Sequence, residues 1–239
     1  MNVAGSKTIQ RQILQEIRHG IFARSERLPR ETTLSEQLGI SRTQLRDALS
    51  ELEREGFITR RHGVGTVINR HVLQVRNRMD IENEFLGIIR QHGYEPDVSR
   101  VRLYRETADT YIAGKLKIPE GTEVIRICRV CTADGKPAIY CEDVVEQRVV
   151  KGDYTIQDLK QPVFYFLKEF CDIDAYMDLT QLHAVAADET VALALEIPMG
   201  TPLLNMEEVD YDIEGNTVFY SSQYFVDELF EQTVLRKKL

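Results

Sequence analysis

The strongest constraint on the fold is an internal repeat. The segment "ADTYIAGKLKIPEGTEVIRICRVCTADGKPAIYCEDVV" begins at Ala108. The segment "ADETVALALEIPMGTPLLNMEEVDYDIEGNTVFYSSQYFV" begins at Ala187, an offset of 79 that holds until one residue is inserted before Gly215. Each copy reads as a short helix, an "IP-x-GT" corner, a long strand, a turn ("DGK" or "EGN") and a returning strand. Two related hairpins can join one antiparallel sheet. Two copies are too few for a solenoid, so the spacing predicts a duplicated half of one α+β domain. Between the copies, "VFYFLKEFCDID" has the period of an amphipathic helix.

The first seventy residues have a different grammar. "KTIQRQILQEIRHGIF" places Ile9, Ile13, Ile17 and Ile21 on one helical stripe, with Gly20 ending it. "RLPRETTLSEQLGIS" follows, giving a short second helix closed by Gly39, and Ser41 is a suitable N-cap for a third. That third helix turns Leu45, Ala48, Leu49 and Leu52 inward, sets Arg42 and Arg46 one turn apart, and points Gln44 away from much of the apolar face. Gly56 ends it, and "FITRRHGVGTVI" reads as two short strands around a glycine turn. Three helices and a hairpin make a winged helix-turn-helix. Arginine can bond guanine bidentately and glutamine adenine in the major groove. Gly63 and Gly65 let the wing approach a sugar-phosphate chain, where Arg60, Arg61 and His62 supply donors.

Charge separates the two halves. The net charge of −8 alone argues against nucleic acid, but residues 1–70 hold 12 Lys and Arg against 8 Asp and Glu, a balance of +4. The remainder carries 18 against 30, a balance of −12. The N-terminus lacks an apolar signal segment and no apolar run reaches membrane length, so a cytoplasmic protein with no membrane partner is expected. The four cysteines form no disulfide framework, and the five histidines have no metal-ligand spacing. "CRVC" offers a CxxC spacing, but residues three apart on a strand point to opposite faces. Neither a metal nor a cofactor is expected.

Residues 8–68, above all "RLPRETTLSEQLGISRTQLRDALSELEREGFITRRHGVGT", resemble the DNA-binding domain of GntR-superfamily transcription regulators. The resemblance implies that Arg42, Thr43 and Arg46 contact bases or phosphates and that His62 and Gly63 enter the minor groove. The family usually carries Ser-Glu-Arg after "LP"; Thr32 stands at the arginine position here, with Arg30 two residues earlier. Residues 81–235 resemble the UTRA effector domain of the HutC-type branch, most specifically in "LKIPEGTEVIRICRVCTADGKPAIYCE" and "LEIPMGTPLLNMEEVDYDIEGNTVFYS". The expected fold is α+β. A winged helix-turn-helix spans 1–70, a linker 71–80, and 81–239 form a chorismate-lyase-like antiparallel sheet domain with helices that binds the effector and dimerises.

The first hairpin can be placed in register. A two-residue Asp134-Gly135 turn makes opposed positions sum to 269, so that Arg129 faces Tyr140, Ile127 faces Glu142 and Cys128 faces Cys141. UTRA sensors of phosphorylated sugars commonly use two arginines two apart, a Ser-x-Tyr and a late acidic residue. Arg129 keeps the first arginine, while Cys131, Pro162, Phe164 and Phe219 replace the others. Glu142 keeps an acid on the returning strand, and Glu208 and Asp210 occupy the second repeat. Arg129, Cys131, Tyr140, Glu142, Phe164, Glu208, Phe219 and Phe225 are therefore the candidate effector residues. Arg129 and Glu142 are the expected orienting pair, for a neutral, aromatic or cationic ligand.

The candidate DNA contacts are Arg30, Thr32, Arg42, Thr43, Gln44, Arg46, Arg61, His62 and Gly63. The expected function is a ligand-responsive repressor, binding double-stranded operator DNA as a homodimer and released by a small-molecule effector. The alternatives are a sugar-phosphate sensor of the same branch, a DNA-binding protein without a ligand, and a lyase-like enzyme. For the last, no activated nucleophile or paired acid–base motif is present.

Overall fold

A computed structural model of the protein describes residues 6–81 and 84–237. Residues 1–5, 82–83 and 238–239 lie outside the described residues. Of the described residues, those up to 80 and those from 233 onward cluster as one unit; those between form a second. The last residues thus group with the first unit rather than with the effector domain.

In the first unit, α1 (Ser6–Arg18), α2 (Glu31–Leu38) and α3 (Arg42–Arg54) precede a hairpin of β1 (Ile58–Arg61) and β2 (Gly65–Ile68). Ile9, Ile13, Ile17, Leu34, Leu45, Leu49 and Leu52 fill its core. Ile21 does not join that stripe. The helix stops at Arg18, leaving Ile21 65% exposed, and Phe22 is buried instead. Gly39 takes the left-handed conformation (φ 65°) that closes α2. Ser41 caps α3 through a reciprocal box: Gln44 N donates to Ser41 Oγ (3.2 Å) and Ser41 N to Gln44 Oε1 (3.1 Å). The segment expected as a linker begins with a helical turn, α4 (Arg70–Leu73). The Arg70 guanidinium there binds the Ile17 carbonyl (2.9 Å) and those of Phe22 and Ser25.

The second unit opens with α5 (Phe85–Gln91), then β3 (Pro96–Thr107), α6 (Thr110–Leu116), β4 (Glu123–Ala133) and β5 (Lys136–Glu146). Two inserted helices follow, α7 (Ile156–Leu159) and α8 (Val163–Cys171), and then β6 (Met177–Ala186), α9 (Glu189–Leu195), β7 (Pro202–Tyr211) and β8 (Thr217–Phe225). The six long strands form one antiparallel sheet in the order β3-β4-β5-β8-β7-β6. This order is symmetric about β5/β8, as joining two copies of one unit requires. The repeat is reproduced to single bonds. Asp109 caps α6 through Ile112 N and Asp188 caps α9 through Val191 N, both at 2.8 Å. Thr122 Oγ1 closes its corner on the Pro119 carbonyl at 2.6 Å and Thr201 Oγ1 on Pro198 at 2.7 Å. The structure also extends the repeat backward, since β3 and β6 precede the two helices equivalently.

Both repeat helices pack on one face, against Val124, Val144 and Tyr220 and against Cys128, Tyr140 and Leu203. The other face carries Ile125, Ile127, Val145 and Phe219 under α7 and α8.

Candidate DNA-binding surface and effector cleft

On α3, Arg42 and Thr43 are exposed in the first turn. Arg46, one turn on, donates from Nε to Glu31 Oε2 at 2.8 Å, and its pKa is raised by that partner. Any new anionic partner of Arg46 would therefore have to displace the Glu31 carboxylate. Gln44 is half-buried with its side-chain oxygen engaged in the Ser41 cap. Arg30 and Thr32 are exposed at the start of α2.

The wing divides its basic residues. Arg60, expected among the wing donors, turns back to α3: its Nε reaches Glu53 Oε2 (2.7 Å) and its Nη2 reaches Ser50 Oγ (3.0 Å). Alternation along β1 explains this, because Arg60 and Arg61 must face opposite sides. Arg61, His62 and Gly63 are exposed at the tip, where Gly63 has φ 75° and a β-carbon would meet nothing within 4 Å. Arg27 Nη1 supports the tip by donating to the Val64 carbonyl (3.2 Å), a role the local sequence does not signal.

In the second unit the register departs from expectation. Asp134 and Gly135 do form the two-residue turn, both at positive φ (50° and 79°). Thr132 pairs with Pro137 as expected, but a bulge follows, and Cys131 pairs with Ile139. From there Arg129 opposes Cys141 and Cys128 opposes Glu142. Pro137 has no N–H to continue the ladder, so a bulge beside it has a physical cause and was the available signal. One residue of slip exchanges the faces of the returning strand.

The consequence concerns Arg129 and Glu142, which do not pair. Glu142 lies on the α6/α9 face, bound to Arg126 Nη1 (2.9 Å) and Tyr140 OH (2.7 Å). Tyr140 is on that face too, stacked on Tyr224. On the α8 face, Arg129 is 4% exposed and its partner is Asp143, 1% exposed. Its Nε and Nη2 both donate to Asp143 Oδ2, the former at 3.1 Å, and its Nη1 donates to the Gln161 carbonyl at 2.9 Å. Ser221 Oγ donates to Asp143 Oδ1 at 2.7 Å. Burial alone would lower the guanidinium pKa, but the Asp143 charge reverses this and raises it.

The second repeat places Glu208 opposite Ser221, with Gln223 Nε2 donating to its carboxylate. The Arg129–Asp143 pair of one repeat thus stands beside a Glu208–Gln223 pair in the other. Cys131 and Cys141 are buried beside Arg129, while Phe219 and Phe225 are core. An open cavity of about 290 Å³ is lined by Glu84, Phe164, Lys168, Ile173, Asp174 and Ala175. Partial burial raises the Glu84 pKa against the opposing pull of Arg129. Asp143, Ser221, Gln223 and Glu84 were not among the expected site residues. Among the described residues no His, Cys, Asp and Glu cluster could hold a metal, and no helix is long and apolar enough to cross a membrane.

An arginine-bearing helix beside a glycine wing, followed on one chain by a duplicated sheet with a polar cleft, defines a DNA-binding regulator with a sensing unit. The pattern of the bacterial regulatory proteins of the gntR family matches residues 6–68, and that of the UTRA domain matches residues 91–231. The chain belongs to the gntR family, in its UTRA-bearing, HutC-type branch. It is a ligand-responsive transcription regulator and not an enzyme. A probable fructoselysine utilization operon transcriptional repressor of Escherichia coli (strain K12) is 24% identical over 225 residues, covering 91% of this chain and 88% of that one. A histidine utilization repressor of Pseudomonas putida is 26% identical over 197 residues, covering 82% and 77%. The fold is shared with a solved possible transcriptional regulator, YydK from Bacillus subtilis, at a TM-score of 0.75 and 20% identity, covering 95% and 99%.

Proposed function

We propose that this regulator is a homodimeric repressor of the cytoplasm. Arg42, Thr43, Arg46, Arg61, His62 and Gly63 read a palindromic operator, and an amine-bearing effector releases it. A dimer doubles the few phosphate contacts one winged helix can make and matches a two-fold site. Release requires the effector to favour a conformation with the wrong half-site spacing.

The effector chemistry rests on one observation: every nitrogen of Arg129 already donates, to Asp143 or to the Gln161 carbonyl. A phosphate wants several fixed donors. Here the buried arginine of the α8 face is committed, Lys168 on the cavity wall is paired with Asp174 (3.7 Å), and Glu84 and Glu208 add carboxylates. An ammonium group beside Glu84 and Glu208, with its apolar portion over Phe164, suits the inventory. Two relatives named for histidine and for fructoselysine utilization, both amino compounds, agree with this.

The test is a thermal-shift panel of amino acids, polyamines and hexosamine 6-phosphates, with hits retested for release of a duplex selected by the protein from a random pool. Stabilisation by amines that Glu84→Gln weakens is the expected result. Release by a sugar phosphate through Arg129 would establish the rival reading.

A further inference from the structure

The last turn of α3 exposes carbonyls that a helix cannot satisfy internally. Here Gly56 N reaches the Glu53 carbonyl (3.0 Å), and two cations from distant parts of the chain bind the same helix end. Lys237 Nζ donates to the Glu53 and Arg54 carbonyls, both at 2.6 Å, and Arg78 Nη1 donates to the Glu55 carbonyl. Positive charge at this end also complements the helix dipole. Leu235 fills the space over Gly56, where an added β-carbon would lie 2.5 Å from Leu235 Cδ2.

The same short segment is fastened where the chain leaves this unit. Thr233 pairs in parallel with Arg78: Met79 N donates to the Thr233 carbonyl (2.9 Å) and Thr233 N to the Asn77 carbonyl (3.3 Å). Leu235 N reaches Asp80 Oδ1 at 3.4 Å. Arg78 is 6% exposed, paired with Asp80 and seated over the Phe57 ring at 5.3 Å. The sensing unit is therefore joined to the DNA-binding unit by two covalent crossings, after Asp80 and before Thr233. Both crossings run into one clamp on the end of the recognition helix.

We propose that Thr233–Lys237 is a strap through which the sensing unit controls the recognition helix. Any change that separates or shears the two crossings loads the Arg78–Thr233 pairing first. From there it reaches the carbonyls of Glu53, Arg54 and Glu55 through Lys237 and Arg78. This coupling does not depend on what the effector is.

The test uses the full-length protein, Leu235→Ala, Lys237→Met and a chain ending at Gln232, with a duplex selected by the wild type from a random pool. Amide exchange at residues 52–57 is expected to rise about tenfold in each variant as local stability is lost. Affinity for the duplex is expected to fall about tenfold in each variant, as the helix end it orders is loosened. By reciprocity, duplex binding alters exchange at residues 229–232 in the wild type and not in the chain lacking the strap. Unchanged exchange at 52–57 in Lys237→Met, a single exposed substitution that leaves the core intact, overturns the proposal. So does a duplex-induced change at 229–232 that survives removal of the strap.

Discussion

Replacing Asp143 with alanine isolates the buried ion pair on the α8 face of the sheet. The substitution removes both bonds from Arg129 to Oδ2 and the Ser221 bond to Oδ1, leaving a guanidinium 4% exposed with only the Gln161 carbonyl. Breaking a buried pair from one side costs about 3–5 kcal/mol, because the remaining charge is stranded. The sensing unit spans residues 81–232, and for a unit of that size 1 kcal/mol moves the melting temperature by roughly 2–4 °C. The expected drop is therefore about 6–20 °C in the transition assigned to that unit by calorimetry. Replacing both partners, as Arg129→Leu with Asp143→Leu, removes the stranded charge and is expected to recover most of the loss. An Asp143→Ala melt within about 2 °C of wild type would refute the reasoning, since a pair worth under 1 kcal/mol is behaving as a solvated one.

Other consequences are equally direct. Arg46→Ala should weaken specific operator binding by about 1–3 kcal/mol per half-site, whereas Glu31→Gln, by freeing Arg46, should tighten it; gel shifts at matched salt report both. Gly63→Ala and Gly63→Glu should both lower the melting temperature slightly, because any side chain at φ 75° is strained. Gly63→Glu should reduce operator affinity well beyond Gly63→Ala, because its longer, charged side chain enters open space in the free protein and collides with a backbone in the complex. Glu207 is partly desolvated, which raises its pKa, but Tyr111 OH (2.6 Å) and Lys115 Nζ (2.9 Å) outweigh this and hold it lowered. Its stabilisation is present above the ordinary carboxylate value of about 4.3 and is lost as pH falls through the lowered folded value, so Glu207→Gln should flatten the acid limb of a stability–pH curve.

Much was legible from spacing alone. Ser41 with Gln44 three residues on, Gly39 as a left-handed stop and Leu45, Ala48, Leu49 and Leu52 at helical period are short-range signals, and each stands in the structure as local chemistry requires. The duplication also needed no coordinates, because two copies that close identical corners with Thr122 and Thr201 must fold alike. Even the Asp134-Gly135 turn is a two-residue decision.

Tertiary structure decided which of those residues act together. Arg60 and Arg61 are adjacent basic residues, yet only packing against α3 commits the first to Glu53 and leaves the second exposed. A single bulge beside Pro137 moved Glu142 to the far face and gave Arg129 to Asp143. The face a strand residue takes depends on counting every residue from the turn, so one unpaired residue inverts it, whereas a helix cap depends on neighbours three positions away. The strap lies furthest from sequence reasoning. Lys237 meets Glu53 and Arg54 across more than 180 residues of chain, a separation at which no periodicity survives and only the closed fold brings donor to acceptor.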